Sequence, residues 1–153
     1  MALEEKTLNP TQVLRDIEEI KNLKARYLRY VDIKDWTAWD TVFTPDAQIE
    51  MGGATRTRDE FVSLTSAWLE GSVTAHTGHM PEIKVTGPDT ATGVWAMDDL
   101  VIFPNPDGPD VGFHGYGHYH EEYWKLDGEW KIHNIRLTRL HLDPMPGGFP
   151  PGI

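Results

Sequence analysis

The chain contains no cysteine among its 153 residues. That absence removes a disulfide framework, a thiol nucleophile and a thiolate metal site, and says nothing about redox compartment. Basic residues are also scarce: 14 Lys and Arg stand against 24 Asp and Glu, a formal charge of −10. With no Lys/Arg cluster to interrupt that balance, nucleic acid and anionic membrane surfaces are poor partners. No apolar run is long enough for a membrane span, and the start, MALEEKTLNPTQ, lacks a signal-peptide core. A cytoplasmic protein is expected. GxSxG, a P-loop, GxGxxG after a strand and HExxH are missing too, which removes the commonest hydrolase, nucleotide and zinc readings.

What is present describes a folded chain. Hydrophobic content of 39% and six Trp argue for a real core in one domain over residues 1–153. Within it, 1–9 read as an N-terminal extension and 143–153 as a Pro/Gly-rich tail, too rich in both to be regular.

The patterning centres on the stretch from Val111 to Leu142. Two β-prone arms, VGFHGYGHYHEEYWKL and EWKIHNIRLTRLHL, flank Asp127-Gly128, a strong hairpin signal because both turn residues must tolerate positive φ. The first arm sets His114, Tyr116, His118, His120 and Trp124 against Phe113, Gly115, Gly117, Tyr119 and Tyr123. On the second, Trp130, Ile132 and Leu140 alternate with Lys131, His133, Ile135, Leu137, Arg139 and His141. Neither face is plainly polar. One face is therefore expected to lie under helices and the other against a neighbouring subunit or sheet. His, Tyr and Arg at covered positions are costly for packing alone, which suggests a pocket.

Upstream, Asn9-Pro10 caps a helix whose stripe of Val13, Ile17, Ile20, Leu23/Lys24, Tyr27/Leu28 and Val31 runs at helical spacing through Asp32. A short helix is predicted over Asp35–Phe43, a strand over Ala47–Met51 and a third helix over Asp59–Glu70. Strands Val73–His76 and Glu82–Val85 follow, broken at His79-Met80-Pro81, and then Thr90–Phe103. Residues 104–110 form a loop. Helices first and antiparallel strands after give an α+β fold, a curved sheet wrapped around helices.

Few side chains invite chemistry. Asp32 ends a helix, where a carboxylate opposes the dipole; a turn residue explains it simply, yet the local conflict hints at another role. His76 sits mid-strand, and beside a buried carboxylate such a residue gains a fixed tautomer and serves as base or acid near neutral pH. His79, three residues on, falls on the opposite side of a regular strand and reads as a bulge or rim residue. His114, His118 and His120 share a face. That leaves a metal site open, though the adjacent aromatics and Gly better suit an organic ligand. Asp99 shares a face with Trp95 and Met97 and needs a partner there; Arg139 is the natural one, as a structural ion pair or as part of a site.

Taken in order, IEEIKNLKARYLRYVDIKDW, FTPDA, TAHTGHMPEIKVTGPDTATGVWAM and YWKLDGEWKIHNIRL resemble the SnoaL-like branch of the nuclear transport factor 2-like superfamily. The resemblance spans about Ile17 to Leu140. It implies a cone-shaped, strongly curved antiparallel sheet closing a hydrophobic pocket with N-terminal helices. In lyase members it implies proton abstraction and elimination without cofactor or metal. The family's helix-end Asp falls on Asp32 and its paired strand His on His76. By similarity to the family's bile acid 7α-dehydratase, Tyr27, Asp99 and Arg139 join them as catalytic residues. Trp95, Met97, Tyr116, His114 and His118 are the expected ligand-binding residues. Two positions depart from scytalone dehydratase: the Tyr before its helix-end Asp is Val31 here, and its later strand Tyr falls near Met51. The implied function is a lyase or isomerase acting on a hydrophobic ring compound, in a homo-oligomer of two or three copies. The alternative is a non-catalytic binder or scaffold on the same cone.

Overall fold

The computed structural model describes residues 8–153, so most of the expected N-terminal extension lies outside the described residues. Helix α1 (Pro10–Asp32) starts where Asn9 Oδ1 accepts from the Thr11 and Gln12 amides, with Pro10 pre-set for the first turn. It buries Ile20, Leu23, Tyr27 and Val31 along one stripe. The helix ends by a 6→1 bond from the Asp35 amide to the Tyr30 carbonyl, with Lys34 left-handed at φ 62°. Helix α2 (Trp36–Asp40) is capped by Asp35. Helix α3 (Arg58–Trp68) opens with a reciprocal capping box between Thr57 and Glu60.

Six strands make one sheet: β1 (Phe43–Met51), β2 (Ala54–Thr57), β3 (Val73–Gly87), β4 (Thr90–Phe103), β5 (Val111–Leu126) and β6 (Glu129–Pro144). Their order is β2-β1-β6-β5-β4-β3. All pairs are antiparallel but one: β1 runs parallel to β6. This is the α+β architecture expected, with a mixed sheet. At the β5–β6 turn Asp127 and Gly128 both take positive φ, 50° and 79°, as an Asp-Gly hairpin requires.

Several boundaries move. Phe43 begins β1 instead of ending α2, because its ring joins Tyr27, Trp39 and Phe61 in the core. Thr44-Pro45-Asp46 lies inside β1 as an irregularity between Phe43 and Gln48, where Pro is tolerated. The four-residue β2 escapes the sequence pattern because it has no apolar alternation. His79-Met80-Pro81 is a bulge within the continuous β3. The tail also gains order. Asp143 and Pro144 extend β6, and residues 145–148 fold back so that Gly148 accepts from the Gly112 amide.

The largest departure lies in β6. Register shifts at Ile132/Asn134 and Arg139/His141 leave His133 and Leu140 as extra residues. Each extra residue switches the alternation, since side chains on a strand repeat every two. Trp130, Ile132, Ile135, Leu137, Arg139 and Leu142 thereby share the helix-facing side, and Leu140 is put out into solvent, 73% exposed.

Candidate active site

The inner face of the sheet brings the chemistry together. His76 lies directly across the β3–β4 ladder from Asp99, and Asp99 lies across from Gly115. The next row is Gly78, Met97, Gly117 and Arg139. All of these project toward α1, because paired residues on adjacent strands share a face.

From the end of α1, Asp32 reaches this row. Its Oδ1 lies 2.6 Å from His76 Nδ1, and its Oδ2 accepts the His76 backbone amide at 2.9 Å. The Thr74 hydroxyl donates to Oδ1 at 2.9 Å and itself accepts from Lys34 Nζ at 2.7 Å. Burial pushes the Asp32 carboxyl upward, but the bonds from His76 and Thr74 outweigh it and hold the group below the ordinary carboxylate range. An ionised Asp32 accepts only, so His76 presents Nδ1–H to it and Nε2 is left as the acceptor. No hydrogen bond among the described residues engages Nε2. The arrangement is that of an oriented imidazole with its basic nitrogen free.

Asp99 and Arg139 form the second element. The guanidinium is bidentate, Nη1 to Oδ1 at 2.5 Å and Nη2 to Oδ2 at 2.7 Å. Asp99 is buried while Arg139 keeps some solvent access and lies over the Phe113 ring. Gly115 makes the pair possible: a Cβ there would sit 2.4 Å from both Arg139 Nη1 and Asp99 Oδ1.

Tyr27 closes the inner side with Tyr119, the rings meeting edge to face at 6.0 Å. Burial above all pushes both phenols up, followed by Tyr119 and then Glu121 for Tyr27 and by Asp99 for Tyr119, so both hydroxyls stay protonated. Between them sits Lys24, fully buried, its ammonium 3.9 Å from one ring centroid and 3.5 Å from the other. It pairs with Glu121, which also accepts from the Tyr123 hydroxyl, and that oxygen accepts from Trp95 Nε1.

Of the residues singled out in the sequence, Asp32, His76, Tyr27, Asp99, Arg139, Trp95 and Met97 share the inner face. Tyr116, His114 and His118 do not. They project from the outer face, so the expectation that they line the same pocket is corrected; strand alternation places them on the far side of the sheet. There His114 turns to Asp98, which also takes His79, and its ring stacks on Tyr116. The structure does not aim His114, His118 and His120 at one point: His120 is bonded to Thr138 and His114 to Asp98, and among the described residues no three His, Cys, Asp or Glu are placed to hold a metal ion. A groove of about 750 Å³, bordered by Glu82, Lys84, His120 and Arg136, also opens on the outer face. It shares no lining residue with the Asp32–His76 pair.

Lys34, Thr74 and Glu121 went unremarked in the sequence, and Lys24 counted only as a position on the helix stripe. Only Lys34 carried a signal, a lysine where a helix C-terminus favours Gly. Thr74 resembles any strand residue, and Lys24 any polar residue of an amphipathic helix.

The chain, an α+β fold with an inward Asp–His pair, belongs to the SnoaL-like domain family, whose model matches residues 12–136. Among curated relatives, "Probable cyclase FGR4" of Gibberella zeae is 26% identical over 137 residues, 80% of this chain and 89% of its own. Among solved structures, a single-residue variant of Rv3472 of Mycobacterium tuberculosis, of unknown function, is 26% identical with a TM-score of 0.70 over 84% of this chain and 78% of its own. The dehydrochlorinase LinA-type3 of Novosphingobium barchaimii shares the fold at 21% identity and a TM-score of 0.72, covering 90% and 97%. A Novosphingobium aromaticivorans protein provisionally named scytalone dehydratase shares it at 18% and 0.77, covering 92% and 95%.

Proposed function

We propose that the protein is a cofactor-independent lyase or isomerase that acts on a hydrophobic ring compound such as a steroid or polyketide. The observation that carries this reading is the oriented His76 imidazole, held through Nδ1 and by its own amide to one carboxylate, with Nε2 free. In this reading Nε2 removes a proton from carbon next to a leaving hydroxyl or an activating carbonyl. Asp32 stabilises the positive charge that develops on the ring. Tyr27 donates to the substrate oxygen where negative charge appears, as an oxyanion stabiliser does. Arg139, held by Asp99, donates to the substrate's polar end. Trp95 and Met97 supply apolar wall, which excludes water and strengthens each polar contact. The names of the relatives agree in kind: a cyclase, a dehydratase and a dehydrochlorinase each rearrange or eliminate on a carbon skeleton.

The active form in this reading is a homo-oligomer assembled through the outer face of the sheet. That face carries Trp124 stacked on His133, the His114–Tyr116–His141 stack and the exposed Met80 and Leu140, with no helix of the described residues over it. Binding without turnover is the competing reading, since the fold serves both. Screening hydroxylated steroids and polyketides for dehydration or isomerisation separates them: a ligand that binds and is never converted leaves the binder.

A further inference from the structure

The charges that face the helices are matched one to one. Lys34 Nζ is held by Thr74 beside Asp32. Arg139 is bidentate on Asp99. Lys24 is sealed on Glu121, both fully buried. At the far end of α1, Lys125 donates to Asp16. No inward Lys or Arg among the described residues is spare, and no inward carboxylate lacks a positive or imidazole neighbour.

We infer that the site selects electrically neutral substrates, and that Asp99 sets this selectivity by saturating Arg139, the cation that the sheet turns inward with solvent access. This inference rests on the reading of the inner face as the ligand site. Each of the two Nη atoms commits one N–H to Asp99, leaving Nε–H and a second hydrogen on each Nη. Those donors suit a carbonyl or hydroxyl oxygen. A carboxylate there would meet a guanidinium already neutralised and a fixed negative charge within the same contact, and its desolvation would go uncompensated. Selectivity here is built from repulsion as well as attraction. It also matches the proposed reaction, in which a proton passes from a neutral substrate to His76, leaving a negative charge on the substrate and a positive one on the imidazole with no change in the net charge of the site.

The variant Asp99→Asn keeps the shape and one of the two acceptors while freeing the guanidinium charge. Two matched probes, 2-naphthol and 2-naphthoate, are titrated by calorimetry at pH 7 into the parent and into D99N, each first checked for fold by circular dichroism. The parent is expected to take naphthol at least tenfold more tightly than naphthoate, and D99N to bring naphthoate up by tenfold or more with naphthol little changed. Removing the cation as well, in D99N/R139Q, abolishes the gain. If D99N does not fold, Gly115→Ala parts the two groups instead, its methyl standing 2.4 Å from both, and a smaller gain for naphthoate is expected because Asp99 keeps its charge. Equal binding of both probes by the parent, or an unchanged ratio in the variants, overturns the inference. If neither the parent nor D99N takes either probe, the reading of the inner face as a site for hydrophobic rings fails, and the inference with it.

Discussion

At the scale of the residue, the site depends on an Asp placed against its own helix dipole. Its carboxylate is tied by two bonds from His76 and one from Thr74, and Lys34 adopts a left-handed backbone whose ammonium backs Thr74. A left-handed non-Gly residue costs roughly 1–2 kcal/mol, and the local misfit is offset by order at Asp32. Once a substrate is in hand, His76→Ala and Asp32→Asn should each cut turnover roughly 10²–10⁴-fold, the usual contribution of a general acid–base group. Equal turnover by parent and both variants would place the chemistry elsewhere. The same ties act on stability. Asp32, Asp16 and Asp98 all have folded carboxyl groups below their ordinary value: burial opposes this in each, and hydrogen bonds to His76, to Lys125 and to His114 respectively lead the lowering. A depressed folded value contributes stability that is complete above the unfolded carboxylate range and is lost as pH falls through the folded value. Thermal unfolding followed downward from about pH 5, just above the unfolded carboxylate range, should therefore show a falling Tm that flattens in Asp32→Asn.

At the scale of the element, β6 decides what the site contains. Its two extra residues, His133 and Leu140, turn Ile135, Leu137 and Arg139 to the helix side, with Trp130 and Ile132 before them and Leu142 after. Were His133 paired in a regular ladder and not bulged, Arg139 would fall on the outer face and Asp99 would be buried alone. Gly117 lies beside the second bulge, and a Cβ there would stand 2.0 Å from the Thr138 carbonyl oxygen, a backbone atom that cannot swing aside. Gly117→Ala should lower stability by about 1–3 kcal/mol, the usual range for forced overpacking, and chemical denaturation would register it as a lower midpoint. In α3, Thr57→Ala removes one half of the capping box. A loss of about 1 kcal/mol is expected there, with Asp32 and His76 undisturbed.

For the whole molecule, two features have consequences. Inside, Lys24 and Glu121 are both fully buried and paired across α1 and β5. Replacing Lys24 by Met strands a carboxylate in the core and should cost roughly 3–5 kcal/mol, whereas removing both charges costs far less. Melting temperatures of K24M and K24M/E121Q compare the two directly. Outside, the helix-free face of the sheet should place the protein as a dimer or trimer in sedimentation at micromolar concentration. Leu140→Asp with Met80→Asp should shift it toward monomer. A parent that sediments as a monomer removes the oligomer from the proposal.

The sequence by itself determined the α+β class, the Asp-Gly hairpin, the capped first helix and the membership of the Asp32–His76 and Asp99–Arg139 pairs. These are local matters of periodicity and turn chemistry, or properties carried by motif order along the chain. Only the tertiary structure decided which face each strand residue takes beyond a bulge, and so which residues meet. An extra residue in a ladder has no signature in a sequence whose both faces are rich in aromatics and His. Sorting Tyr116, His114 and His118 from Trp95 and Met97 likewise required the helices, because a strand is two-sided until something covers one side. The matched inner charges are a fact of distance alone: Lys24 and Glu121 lie 97 positions apart and meet only when α1 crosses the sheet.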